Sequence, residues 1–300
     1  MSQRIKILVA THSKTLAIEN DIVNTILVGS SINNKVSATL KDDSGENISH
    51  LNKYFCELTA HYWAYKNLDL DYYGFFHYRR YLALNRINSS GYIAKLGFEN
   101  KSEKHFGLNE KNIKSILNGK IDWVLPLNNY SLRHTVTSTL YENYRYHHNS
   151  TKDLDFVIDY LKKNYPSYTK YIDEYLFTKS LNKQYFGNIF IAKKQAFMDY
   201  CKWLFEILFA FQEQKDYSNL DLYQSRIPGF LAERLFGIYI YHAQATNPNL
   251  KILHVKSIFI LNSIKKVTTV AKIKSFSKNI IKFCMPYGIL KLYQNKKSDK

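Results

Sequence analysis

With 300 residues, 45% of them hydrophobic, the chain has the apolar material for one large domain or two small ones, and an aromatic content of 15%, led by 25 tyrosines, excludes a largely disordered polymer. Its formal charge of +17 directs attention to anionic partners. No apolar run approaches the length of about 18 residues that a spanning helix needs. Cys56, Cys201 and Cys284 are odd in number, far apart and without metal-ligand spacing, which fits a reduced, cytoplasmic setting.

In chain order, IKILVA (residues 5–10) reads as a first buried strand followed at once by THSK, and NTILVGS (24–30) as a second. The apolar run of Ile5 and Ile7 to Ala10 is too short for the core of a secretory leader. DDSGENISH (42–50) carries turn chemistry, and Ser49 is a candidate N-cap for a helix with the stripe Leu51, Phe55, Leu58, Tyr62 and Tyr65. Tyr72 to Phe76 reads as a buried strand, and Gly91, Gly97 and Gly107 mark loops around short helices. IDWVLP (121–126) is a strand stopped by Pro126, and residues 134–182 read as polar, Tyr-rich helix. FGNIFIAKK (186–194) is a strand, and KQAFMDYCKWLFEILFAFQEQ is a long amphipathic helix. A turn at Pro228-Gly229 opens another helix, and LKILHVKSIFI (250–260) is a last strand. Strands alternating with helices predict an α/β fold, with a central, mostly parallel sheet flanked by helices and ligands at the carboxyl ends of its strands.

The strand at 72–76 runs directly into His77, Tyr78, Arg79 and Arg80. Two planar guanidiniums at a strand end suit a phosphate, and His77 adds a third donor or a general acid. A surface basic patch, or arginines paired with a local carboxylate such as Asp71, is the plainer alternative. His12, also just past a strand, is placed to share the same cleft. The chain has no phosphate-binding glycine loop, HExxH, GxSxG or cysteine–histidine set with metal spacing. Asp69 and Asp71 precede the strand, at the end away from the cluster, so no Asp-x-Asp stands where cations now stand. Those cations could neutralise a diphosphate in a metal's place.

DDSGENISHLNKYFCELTAHYWAYKN followed by YYGFFHYRRYL resembles the DUF4422 family of bacterial glycosyltransferases, some members of which are similar to galactofuranosyltransferases. The family pattern D-x-G-x-N-I-S falls on Asp43, Gly45, Asn47, Ile48 and Ser49. E-L-T-x-x-Y-W-x-W-K-N falls on Glu57, Leu58, Thr59, Tyr62, Trp63, Lys66 and Asn67, with Tyr65 in place of the second tryptophan. G-x-x-H-Y-R-R-Y falls on Gly74, His77, Tyr78, Arg79, Arg80 and Tyr81. His12, DWVLP, YHH (146–148), GNIFIAKK and ERLF (233–236) extend the match across residues 5–260. The resemblance implies a GT-A-like nucleotide-sugar-binding domain over residues 1–262. It further implies a UDP-sugar donor, with galactofuranose or a pyranose as the sugar, and a lipid-linked surface glycan such as capsule or O-antigen as acceptor. Inverting transfer without an Asp-x-Asp metal is expected, and the close rival holds a divalent metal through other carboxylates.

On that resemblance the donor diphosphate rests on His77, Arg79 and Arg80, and the nucleoside on His12, Asp43 and Asn47. His12 serves equally as a capped strand end, and Asp43 and Asn47 as Asx-turn and capping groups. Glu57, expected within a helix, is a partner for Arg79 or Arg80. Glu233, just past the Pro228-Gly229 turn, is the expected base for the acceptor hydroxyl; its alternative is an acid favourable to the helix dipole. Lys66, Tyr78, Asn188 and His147 fall to supporting or acceptor roles.

From Lys265 to Lys300 the chain carries ten lysines and one acid, Asp299, a net of +9. Interleaved with Ile273, Phe276, Ile280, Ile281, Phe283 and Met285, these lysines predict an amphipathic segment over 263–300 that lies on the anionic inner face of the cytoplasmic membrane. A solvated lysine-rich tail is the alternative. Nucleic acid is not an expected partner, since no helix-turn-helix, zinc-finger or basic-aromatic repeat occurs. A non-catalytic module that docks an anionic glycan or nucleic acid is the rival from another class.

Overall fold

The computed structural model describes residues 3–33, 36–88, 92–98, 102–126, 139–148, 150–179 and 185–261. The basic segment 263–300 lies outside them.

Strand β1 (Ile5–Thr11) buries every residue but Lys6. Its alternate side chains feed two cores: Leu8 and Ala10 face one side of the sheet, Ile7 and Val9 the other. That two-sided burial explains why the strand reads as a continuous apolar run. It pairs in parallel with β2 (Val23–Leu27) and with β4 (Tyr72–His77), and β2 pairs in parallel with the short β3 (Leu40–Lys41). Gly74 of β4 lies opposite Ile7. A Cβ there would stand 2.6 Å from Ile7 Cγ1, so the glycine lets the two strands keep this register.

Beyond β4 the expected mostly parallel sheet gives way to a mixed one. Tyr78 and Arg79 make a two-residue turn, and β5 (Arg80–Ile87) leaves it antiparallel, with Arg80 opposite His77. A tight hairpin can only reverse the chain, which a helical crossover need not do. The short β6 (Tyr92–Lys95) falls where loops were expected, and β5, with Tyr81 to Leu84 buried, is a strand that no sequence expectation covered. Two short helices, α3 (Ser102–Phe106) and α4 (Glu110–Ile116), lead to β7 (Trp123–Pro126). The strand β8 (Phe190–Lys193) runs antiparallel to both β4 and β7. The last strand, β9 (Ile252–Ile260), pairs in parallel with β6 and β7 and antiparallel with β5. The path β4–β5–β9–β7–β8 therefore returns to β4.

The expected helix after Ser49 is split. A single turn at Ser49–Leu51 and α1 (Asn52–Phe55) are separated from α2 (Leu58–Asn67) by Cys56, at φ +52°. The Cys56 carbonyl accepts from Asn52 Nδ2 (2.7 Å) and Thr59 Oγ1 (3.0 Å), so side chains satisfy it where the helix breaks. Helices α5 (Leu140–His148), α6 (Lys152–Asn164), α7 (Thr169–Ile172) and the wide turn Asp173–Phe177 realise the helical reading of the described part of 134–182. The two long helices, α8 (Lys194–Gln214) and α9 (Ile227–Thr246), pack over the Trp123–Phe190 face of the sheet. Pro228 in the first turn of α9 costs nothing, because its missing N–H would have had no helical partner.

Candidate functional site: a cationic strand end beside a half-buried carboxylate

His12 and His77 come together because β1 and β4 are parallel neighbours with Ala10 opposite His77. The Tyr78 N–H donates to the Ala10 carbonyl (3.0 Å), which turns the hairpin back over β1. The Tyr78 ring then stands 5.2 Å from His12, edge-on, and 4.3 Å from His77. Burial, with Arg80, His12, Arg226 and Arg79 around it, holds the His77 imidazolium well below its ordinary pKa. His77 is therefore neutral at pH 7 and belongs to the cleft as a hydrogen-bonding group. Its Nδ1 is buried without a partner among the described residues. Burial and Arg226 also lower His12.

The two arginines part ways. The Arg79 Nε–H donates to the Ile260 carbonyl (3.1 Å), and its guanidinium lies 5.0 Å from the Phe259 ring centre, so Arg79 is tied to the end of β9. Arg80 is exposed and runs past Gly187, where a Cβ would stand 3.3 Å from Arg80 Cδ. Its charge is felt by both His77 and Glu233. A further cation, Arg226, caps the start of α9 and was not among the expected site residues. Its Nε–H donates to Cys56 Sγ (3.0 Å). Burial pushes the Cys56 thiol up to about 12, so this sulfur is an un-ionised acceptor. Arg226 is legible only as a basic residue just before the Pro228-Gly229 helix start, a weak signal.

Facing these cations are the acids. Glu57 sits at the head of α2, and its Oε1 accepts from Asn188 Nδ2 (2.7 Å), so Asn188, not Arg79 or Arg80, is its bonded partner. Asn188 adopts φ +50°, is 3% exposed and also donates to the Gly229 carbonyl (3.2 Å); its Oδ1 is buried without a partner among the described residues. Glu233 Oε1 accepts the Gly187 N–H (2.7 Å) and Oε2 pairs with Arg234 (2.9 Å). Burial raises the Glu233 carboxyl above its usual range; Arg234 and Arg80 oppose that shift and Glu57 adds to it. Arg234 itself is buried, bonded to Asn143 Oδ1 (3.2 Å), and lies 4.8 Å and 5.4 Å from the Phe186 and Tyr144 ring centres.

The other expected residues lie elsewhere. Asp43 is exposed, and its neighbour Asp42 is the buried carboxylate of the turn. Asp42 accepts from Gly29 N (2.8 Å), Ser30 N (3.0 Å), Ser30 Oγ (2.8 Å) and Ser49 Oγ (2.6 Å). Asn47 accepts the Ser49 N–H (3.1 Å) in an Asx turn, and Ser49 is not the cap: Ile48 stands at the helix start with no side-chain cap. Lys66 pairs with Glu46 (2.9 Å), while Trp63 Nε1 donates to Ser44 Oγ (2.9 Å) and Asn67 holds the Glu46 backbone. The second quoted motif thus clamps the first. Asp69 pairs with Arg4 and Lys194 at the far end of β4. On α5, His147 is half-buried, and its neighbour His148 is the one packed on Phe230 of α9, with ring centres 4.4 Å apart. Among the described residues no three His, Cys, Asp or Glu side chains gather as metal ligands, and no helix is long and apolar enough to cross a membrane.

Fold and site together define an α/β protein in which a strand-end wall of arginines and neutral histidines lies beside a half-buried carboxylate. The chain belongs to the DUF4422 family, described as a domain of unknown function, whose pattern matches residues 6–244. Among solved structures it is similar to WbbM, a bifunctional glycosyltransferase in its apo form, at 31% identity and a TM-score of 0.79. The likeness covers 89% of this chain and 47% of that one, so this chain spans about half of the WbbM chain. No curated protein matches the sequence.

Proposed function

We propose that this chain is a glycosyltransferase of GT-A-like design that moves a sugar from a UDP-sugar to a hydroxyl of a lipid-linked surface glycan, with inversion. The observation that carries the reading is Glu233: a carboxylate held by Gly187 N–H and Arg234, raised by burial, and within reach of the charge of Arg80. The 31% identity to a bifunctional glycosyltransferase supports the reaction class.

In this reading the acceptor oxygen attacks the anomeric carbon of the donor sugar while Glu233 takes its proton. The bond from that carbon to the diphosphate oxygen breaks, and the diphosphate leaves with the electron pair. Arg80 and Arg226 meet its growing charge, with Arg79 and neutral His77 beside them. The nucleoside lies toward His12. Galactofuranose is the donor sugar favoured by the family resemblance, and the lysine-rich segment 263–300 holds the protein to the inner face of the membrane.

The test is UDP release from a panel of UDP-sugars with a lipid-linked acceptor, run with and without EDTA. Release that survives EDTA is expected. Loss in EDTA overturns the metal-free part, and no release with any donor leaves a module that binds without turnover.

A further inference from the structure

Arg226, the N-cap of α9, is followed at spacings of four and three by Phe230 and Glu233 within the helix, so the three follow one side of it. Phe230 therefore sits between a cation of the diphosphate wall and the carboxylate. Its ring does not stand alone. The Tyr223 ring centre is 5.3 Å away, the His148 ring 4.4 Å away, and the Arg226 guanidinium 5.7 Å away. Tyr223 is 48% exposed and its neighbour Leu222 71% exposed, so the row of rings reaches the surface just before α9 begins. Burial, with Arg234 and His147 nearby, lowers His148 to about 3. That imidazole is thus an uncharged ring with polar nitrogens.

We propose that Tyr223, Phe230 and His148 form the platform for the sugar ring of the acceptor, a reading that rests on the glycosyltransferase assignment above. A base must lie within hydrogen-bond reach of the hydroxyl it deprotonates. A molecule seated on these rings would lie about one helical turn from Glu233, the place from which a hydroxyl is presented to it. A hexose ring has the matching chemistry: a face of C–H groups that lies flat on aromatic rings, and an equator of hydroxyls that reach His148, Arg226 and Glu233. A bare hydrocarbon chain would use the rings and leave those polar groups unanswered.

The experiment is saturation-transfer NMR with methyl glucosides, galactosides and mannosides at millimolar concentration, in the presence of UDP, on the full chain. At least one glycoside is expected to bind with its ring C–H protons closest to the protein. Tyr223→Ala and Phe230→Ala should weaken it at least fivefold, Phe230→Trp should retain it, and UDP affinity by calorimetry should be unchanged in all three. Tyr223, at the surface, guards against a folding artefact. Normal UDP binding with no glycoside bound, or with binding indifferent to both alanine variants, overturns the platform while the donor reading stands. Response to an alkyl phosphate in place of the glycosides assigns the rings to lipid and also overturns it. Failure of UDP to bind sinks the underlying reading instead.

Discussion

Glu233 and Arg234 are consecutive on α9, yet their side chains form an ion pair at 2.9 Å, 19% and 5% exposed respectively. Adjacent helical residues point in different directions, and only the length of the arginine lets it fold back onto its neighbour. Asn143, Phe186 and Tyr144 hold it there.

Arg234→Gln should raise the Glu233 carboxyl further, because Arg234 is the first of the groups that oppose its burial. Glu233 works deprotonated, so the acid limb of kcat/KM is expected to move to higher pH. Breaking a buried pair costs about 3–5 kcal/mol, so urea unfolding should also show a loss of that order. An unmoved acid limb would separate Arg234 from the base.

Glu233→Gln keeps the shape of the carboxylate and removes its basicity. UDP binding should stay within about twofold, while transfer falls by about 10²–10⁴, the usual contribution of a general base. Full activity in this variant would rule Glu233 out.

Arg80→Ala should weaken UDP binding more than Arg79→Ala. Arg79 already spends its Nε–H on the Ile260 carbonyl, whereas Arg80 is exposed and its charge bears on Glu233. A lost charge-assisted bond is worth about 1.5–3 kcal/mol, roughly ten- to a hundredfold in affinity by calorimetry. The reverse order would move the diphosphate to the β9 side of the hairpin.

Asp42→Ala should destabilise the protein by about 3 kcal/mol or more in urea denaturation, because it strands four donors in a buried turn. Asp43→Ala, at an exposed site, should stay within about 0.5 kcal/mol. Equal effects would mean that the Asp42 bonds do not order the turn.

His12, His77, His61 and His148 all have lowered pKa values with burial as the first cause, His61 and His148 to about 3. The unfolded chain takes up these protons near pH 6.5 and the folded chain resists them. Stability is therefore complete above about pH 6.5 and declines as pH falls from there toward the folded values. His61 packs 4.0 Å from the Phe75 ring centre, and its Nδ1 has no partner among the described residues, so His61→Leu strands no partner there and should flatten that decline. A denaturation profile parallel to that of the wild type would exclude His61 from it.

What the sequence by itself determined is local. The strands β1, β2, β4, β7, β8 and β9, the helices α8 and α9, and the meeting of His12 with His77 follow from apolar runs, helical periodicity and the rule that ligands gather at strand ends. The family motifs are equally legible, because they are contiguous. Tertiary packing decided the rest. The mixed sheet follows from a two-residue hairpin that could also have been read as a loop. Cys56 breaks a helix whose stripe looks unbroken, and Asp42 rather than Asp43 is buried, one residue apart in an otherwise similar turn. Asn188 takes Glu57 from the arginines, and Arg226 completes the cationic wall from far along the chain. Periodicity reports which face of an element is buried. It carries no record of which other element covers that face, and a charged side chain's partner, protonation and role are all set by that second element.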